Sequence, residues 1–289
     1  KGIQYYVLVA VALTAGTCFL MWVGEMLTDK GIGNGVSLLI FAGIVLRYPT
    51  YLADNLQKLK GTPAFGISLL VFFLVFLVLI AAIVFITQGE RRVPVHYAKR
   101  QVGRKVYGGQ QSYIPVMVNN AGVISIIFAI SIMYLPSTLA GWLRNSSNHV
   151  VLSFVQFIRD TLSPDTMIYN LLYAALVIFF TFFYSAITFK VDDVSDNMKK
   201  YGGFIPGIRP GRPTAELLER ILSRVTFISA IFLAVLAVVP TFLMKWTGVT
   251  FYLGSTSILI IVGVALDTMK QIQARLMMRH YQGFMKTNP

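Results

Sequence analysis

Seven apolar runs, at residues 5–24, 36–53, 64–86, 121–143, 167–189, 225–244 and 251–269, constrain this chain more than any other feature. A helix needs about 20 largely apolar residues to cross a bilayer. In hydrocarbon every backbone N–H and C=O must be satisfied within the segment, so runs of this length become helices. Hydrophobic residues make up 56% of the chain and charged residues 13%, about half the charged share usual in a soluble domain. The sequence therefore predicts an all-α membrane protein, a polytopic helical bundle of about seven transmembrane helices. The second run is the weakest: it is continuously apolar only to Leu46, before Arg47, Tyr48 and Pro49, and the glycine-rich stretch 31–35 opens it. Such a short helix belongs at the centre of the bundle, because irregular backbone at membrane depth is tolerated only inside protein or beside water.

Lysine and arginine set the expected orientation. Of 25 such residues, 18 lie in the loops 24–35, 87–120 and 190–224 and in the tail from 270, and 7 lie in the alternate set with Lys1. The positive-inside rule puts the first set in the cytoplasm, with the C-terminus inside and Lys1 outside. The net charge of +13 is thus first a matter of loops rather than of nucleic acid. The single cysteine, Cys18, lies in an apolar run and has no intramolecular partner. The sequence opens Lys-Gly-Ile-Gln, with neither an initiator Met nor a signal pattern, so further chain ahead of Lys1 is expected.

The loop 87–120 carries Arg91, Arg92, Lys99, Arg100, Arg104 and Lys105 against one acid, Glu90. Alternation over 93–97 and the turn signal Gly108-Gly109 predict an ordered, β-like basic arm. The loop 190–224 repeats the theme with Lys199, Lys200, Arg209, Arg212, Arg220 and Arg224, and residues 203–214 hold three prolines and three glycines. An arginine held between prolines, as Arg209 is, is presented rigidly to a phosphate or carboxylate, which suits a protein or ribosomal RNA dock. The plainer reading is that such loops only fix topology or touch anionic lipid.

The fourth run carries Ser125, Ser131, Ser137 and Thr138, read as a polar seam on one side, with Pro136 near its end and Asn119, Asn120 and Gly122 at its entry. A seam of this kind either bonds a neighbouring helix or walls a water-accessible path. The connection 144–166 reads as an interfacial hairpin or a short re-entrant helix. His96, His149 and His280 stand alone, and no His, Cys, Asp or Glu cluster has ligand spacing, so neither metal nor cofactor is expected. Asp267, near the end of the last run, is the acid with the best claim to a specific role, as an ionisable residue in a span; the plainer reading is that it reaches the interface or pairs with Lys270. No phosphate loop, nucleophile elbow or zinc-protease motif is present, and an enzyme is not expected. A secondary transporter is the alternative, but it would place charge inside its helices.

The blocks ERRVPVHYAKR, VGRKVYGGQ and IPVMVNNAGV in the arm, GIGNGVSLLIFAGIV at 31–45, GGFIPGIRPGRPT at 202–214 and LIIVGVALDTMKQI at 259–272 resemble, in that order, the SecY family of channel subunits of the bacterial protein-export translocon. The resemblance covers helices four to ten of the ten-helix fold. It implies that 1–53 holds the last two helices of an N-terminal half (5–24, 36–53). Residues 54–120 would be the sixth family helix (64–86) with the cytosolic arm (87–120). A C-terminal half would then occupy 121–289, with helices 121–143, 167–189, 225–244 and 251–269 and the loop 190–224.

The implied function is a central pore for unfolded polypeptides in the bacterial cytoplasmic membrane. Pore-constriction positions fall on Val36, Ile40, Ile127 and Ile260, where branched aliphatic side chains exclude water without gripping a moving chain. Contacts for the ribosome and the SecA motor fall on Arg92, Lys99, Arg100, Arg104 and Arg209. Asn120, Ser125 and Ser131 lie on the gate helix, and Ser125 stands where the family carries proline. Implied partners are SecE-like and SecG-like small membrane subunits, SecA, the ribosome with its RNA, signal peptides and unfolded preproteins, and membrane lipid.

Overall fold

A computed structural model of the chain describes residues 2–59, 65–97, 100–102, 105–107, 111–143, 149–163, 166–247 and 255–285. The elements in order are α1 (Ile3–Lys30), α2 (Gly35–Val45), α3 (Tyr48–Leu59), α4 (Phe65–Gln88), β1 (Glu90–Tyr97), β2 (Arg100–Val102), β3 (Lys105–Tyr107), β4 (Gln111–Met117), α5 (Ile124–Leu143), α6 (His149–Thr161), α7 (Met167–Thr188), α8 (Val191–Lys200), β5 (Gly203–Phe204), α9 (Arg212–Thr247) and α10 (Ser255–Met285). Among the described residues, five helical stretches are long and apolar enough to cross a membrane: Ile3–Lys30, Ile124–Leu143, Met167–Lys200, Arg212–Leu243 and Thr256–Met278. Gly35–Tyr51 and Phe73–Gln88 are shorter apolar stretches. The chain is a helical, polytopic membrane protein with small sheets in its loops.

Helix boundaries depart from the apolar runs for local reasons. The expected single span over 36–53 is two helices, since α2 stops at Val45 and α3 begins at Tyr48. Pro49 occupies the first turn of α3, where a missing N–H removes no helical bond. α5 starts at Ile124 rather than at 121 because Gly122 takes φ +55, a left-handed conformation that ends helical continuity. α9 begins well before residue 225, so the end of the second basic loop is already helical. The connection 144–166 contains one helix, α6, whose Val155 and Ile158 pack on Ala140 of α5; residues 144–148 and 164–165 lie outside the described residues.

The chain divides into two compact units, Lys1–Ile67 with Ser257–Pro289, and Ser68–Thr256. In the first, α1 and α2 approach through glycine: a Cβ on Gly24 would lie 2.7 Å from Val36 Cγ2, and one on Gly35 would meet the Gly24 carbonyl. In the second, α7 packs against both α5 and α9. Its buried residues Asn170, Tyr173, Val177, Thr181 and Ser185 recur every three or four positions, so one stripe does the packing. Lipid gives apolar helices no hydrophobic reason to associate, so small residues and hydroxyls carry such contacts. Ala129 on α5 and Ala230, Ala234 and Ala237 on α9 are buried. The Ser185 and Thr226 hydroxyls meet at 2.7 Å between α7 and α9.

Candidate functional site

The two basic loops fold together. β1 pairs antiparallel with β4 from Glu90↔Met117 to His96↔Gln111, and its other edge pairs with β5 through His96↔Phe204 and Tyr97↔Gly203. Because side chains alternate across a strand, Val93 and Val95 turn to one face. There they form a core with Val116, Met198, Ile205, Leu218 and Leu222. This core lies in the polar loops rather than among spanning helices, where burying each such side chain stabilises by about 1.5–3 kcal/mol. Ser195 Oγ donates to the Gly211 carbonyl at 2.8 Å and Thr214 Oγ1 to the Arg209 carbonyl at 2.9 Å, which fixes the proline-rich stretch to α8 and α9. The result is one platform from two loops. Alternation made β1 legible, but a strand of two residues, β5, leaves no periodic signal, so the union was missed in the sequence.

On this platform Arg92 is exposed. Its Nε donates to Glu90 Oε1 at 2.6 Å, and its guanidinium carbon lies 4.9 Å from the centre of the Tyr113 ring. The hydrogen bond and charge of Glu90 raise the Arg92 pKa, so the cation persists. Arg209 is exposed at the turn before α9. Arg100 opens β2, which pairs with β3 through Arg100↔Tyr107; its side chain, and the whole of Lys99 and Arg104, lie outside the described residues.

The polar residues of α5 do not share a side. Ser125 is fully buried and its Oγ donates to the Gly122 carbonyl at 3.2 Å. Ser131 and Thr138 are exposed and donate back to Ile127 and Tyr134 carbonyls at 2.7 and 2.8 Å. At about 100° per residue, Ser125 and Ser131 stand roughly 120° apart and Ser137 falls on a third side, which corrects the expected single seam. Ile127, Ser131, Tyr134 and Thr138 instead form one exposed stripe. Asn120 is half-buried. Its neighbour Asn119 makes the bonds: Gly122 N donates to Asn119 Oδ1 at 3.0 Å, and Ser229 Oγ of α9 lies 3.5 Å from the same oxygen. An Asn three residues ahead of a Gly is the sequence signal for this turn.

Of the candidate pore residues, Val36, Ile40 and Ile260 belong to the first unit and Ile127 to the second. Val36, Ile40 and Ile127 are 42%, 49% and 42% exposed, far more than a core residue of a soluble domain. Ile260 is half-buried beside buried Ile258 and Leu259. On α2, Leu38 and Phe41 rather than Val36 and Ile40 line the cleft against α10.

Spanning helices joined to a folded basic platform, with uncharged side chains alone among the described buried polar residues, define a polytopic membrane protein built around loops that present cations. The SecY family model matches residues 2–269. The chain belongs to the SecY family. It is 46% identical to the protein translocase subunit SecY of Mycobacterium tuberculosis over 292 residues, covering 99% of this chain and 65% of that protein. It is 45% identical to the same subunit of Thermotoga maritima, covering 98% and 63%, and 40% identical to that of Aquifex aeolicus, covering 99% and 65%. The chain thus spans just under two thirds of the length of these relatives. Its fold is similar to a solved structure described as a protein conducting channel, with TM-score 0.55, 17% identity, and coverage of 90% of this chain and 63% of that one. A second, described through the plug domain of SecY and the closed state of the translocation channel, gives TM-score 0.57 and 18% identity over 90% of this chain and 64% of that one.

Proposed function

We propose that this chain forms the pore-lining part of a protein-conducting channel that moves unfolded polypeptides across, or sideways into, the cytoplasmic membrane of a bacterium. The carrying observation is the platform, which unites both basic loops and continues without a break into the spanning helix α9. Arg92, Arg100, Arg104, Lys99 and Arg209 dock the ribosome, through its RNA, or the SecA motor, and both basic loops and the C-terminus face the cytoplasm. SecE-like and SecG-like subunits complete the complex in lipid. Residues 1–53 supply helices of an N-terminal half, 54–120 the sixth helix and arm, and 121–289 the C-terminal half.

Val36, Ile40, Ile127 and Ile260 form an aliphatic collar that resists wetting by water and ions. The stripe of Ile127 and Ser131 on α5, entered through Asn120, faces the signal peptide and the passing chain. The protein is a conduit, with its driving force supplied by the docked partner. Uncharged buried polar residues favour this over a transporter, which needs buried charge for its coupling ion.

The test is charge reversal in the native complex. Arg209→Glu removes a charge-assisted contact from an exposed turn, so ribosome or SecA affinity should fall about ten-fold or more, with unchanged thermal stability. Wild-type affinity and export in Arg209→Glu and Arg92→Glu alike would reduce the loops to topology signals.

A further inference from the structure

The turn between α1 and α2, where Gly24 and Gly35 let the two helices pack closely, is also held by side-chain hydrogen bonds. Gly33, at φ +94, donates its N–H to Gln271 Oε1 of α10 at 2.7 Å. The two residues are 238 positions apart in sequence. Gly35 N donates to Thr28 Oγ1 at 2.8 Å, and that hydroxyl in turn donates to the Gly24 carbonyl at 2.9 Å. Asn34 caps α2 by accepting from Ser37 N at 3.1 Å. These bonds satisfy donors that the start of a helix would otherwise leave unpaired. Beyond the turn, α2 and α10 are not closely fitted. A cleft of about 300 Å³ separates Leu38 and Phe41 from Val264, Ala265, Thr268 and Met269. Loose apolar contact leaves a helix free to slide or tilt, whereas a directed bond does not.

We infer that Gln271 is a positioning residue: its amide oxygen latches the Gly33 N–H and so sets where the short helix α2 stands against α10. The inference rests on the pore reading in one respect, that α2 carries Val36 and Ile40 and α10 carries Ile260. With the latch closed, these side chains keep a fixed relation and the resting collar stays dry. With it open, α2 shifts within the cleft and water enters. Acceptor chemistry, not side-chain volume, is the requirement.

Two substitutions separate the latch from plain packing. Gln271→Met keeps the length and bulk of the side chain and lacks the acceptor; Gln271→Glu keeps an acceptor oxygen at the same reach. In the native complex, hydrogen exchange of the peptide containing Gly33 should quicken about five-fold in Gln271→Met, the value of one ordinary hydrogen bond, and return to the wild-type rate in Gln271→Glu. Resting ion conductance of the reconstituted complex should follow the same order, with Ile260→Asn as the control that wets the collar directly.

Unchanged exchange in Gln271→Met, or equal acceleration in Gln271→Glu, overturns the latch. Faster exchange with flat conductance, while Ile260→Asn conducts, overturns its positioning role. If Ile260→Asn is flat as well, the pore reading falls instead, and the exchange rates alone uphold or reject the latch.

Discussion

Ser125 shows how a single residue is read differently once its neighbours are placed. The sequence sets it apart because the family carries proline there, and a proline inside a helix costs about 3 kcal/mol. In the structure Ser125 is the second residue of α5, directly after the turn at Gly122. A first-turn N–H has no acceptor within its own helix, so proline removes nothing there. Ser125→Pro is therefore expected to cost less than about 1 kcal/mol, read as a thermal shift of a few degrees or less in the native complex; loss of insertion would show that the buried surroundings of Ser125 have no room for the larger ring. The same scale explains what could not be seen in advance. The hydroxyls of α5 were legible as residues, and a six-residue spacing puts Ser125 and Ser131 about 120° apart on any helix; which of the two is buried depends on the stripe that neighbouring helices cover. Only the spacing to Gly122 distinguishes Asn119 from Asn120 in sequence, and the bonds to Gly122 and Ser229 bear that spacing out.

At the scale of elements, the spans were legible because roughly 20 apolar residues leave a chain few other choices. Strand β1 was legible from its alternating valines. The joining of the two loops was not, since it depends on β5, a strand of two residues, and on Leu218 and Leu222 at the start of α9. Those leucines look like the approach to a membrane span, yet they are the floor under the arm. Leu218 is fully buried in that core. Leu218→Ala should destabilise the platform by about 2–5 kcal/mol, from lost transfer energy and the cavity left behind. Limited proteolysis should then cut the arm faster while the spanning helices stay protected. Equal cleavage of mutant and wild type would mean that the sheet holds without its core.

For the molecule as a whole, the lysine and arginine imbalance makes a topological prediction. Tyr201→Cys, on the platform, should react with a membrane-impermeant thiol reagent only from the cytoplasmic side, and Asp160→Cys, on α6, only from the opposite side. Both residues are exposed, so a failure to label reflects sidedness rather than burial. Reaction of both from one side would remove a span between them. What stayed illegible at this scale is the grouping of α10 with α1 and α2, which a contact between Gly33 and Gln271 establishes across almost the whole length of the chain.

Helix α9 runs for 36 residues, about 54 Å at 1.5 Å per residue. Its first turns are clamped in the platform by Leu218 and Leu222, and the rest leans on α7. A rod of that length is a lever. Pro240 interrupts the ladder near the far end, but over the roughly 42 Å ahead of it, turning the clamped end by about 5° moves the helix through roughly 4 Å while the hydrogen bonds of that stretch stay intact. A partner seated on the arginines therefore need not reach into the membrane to alter what happens there: leverage converts a small rocking at one surface into a side-chain-sized displacement at the other.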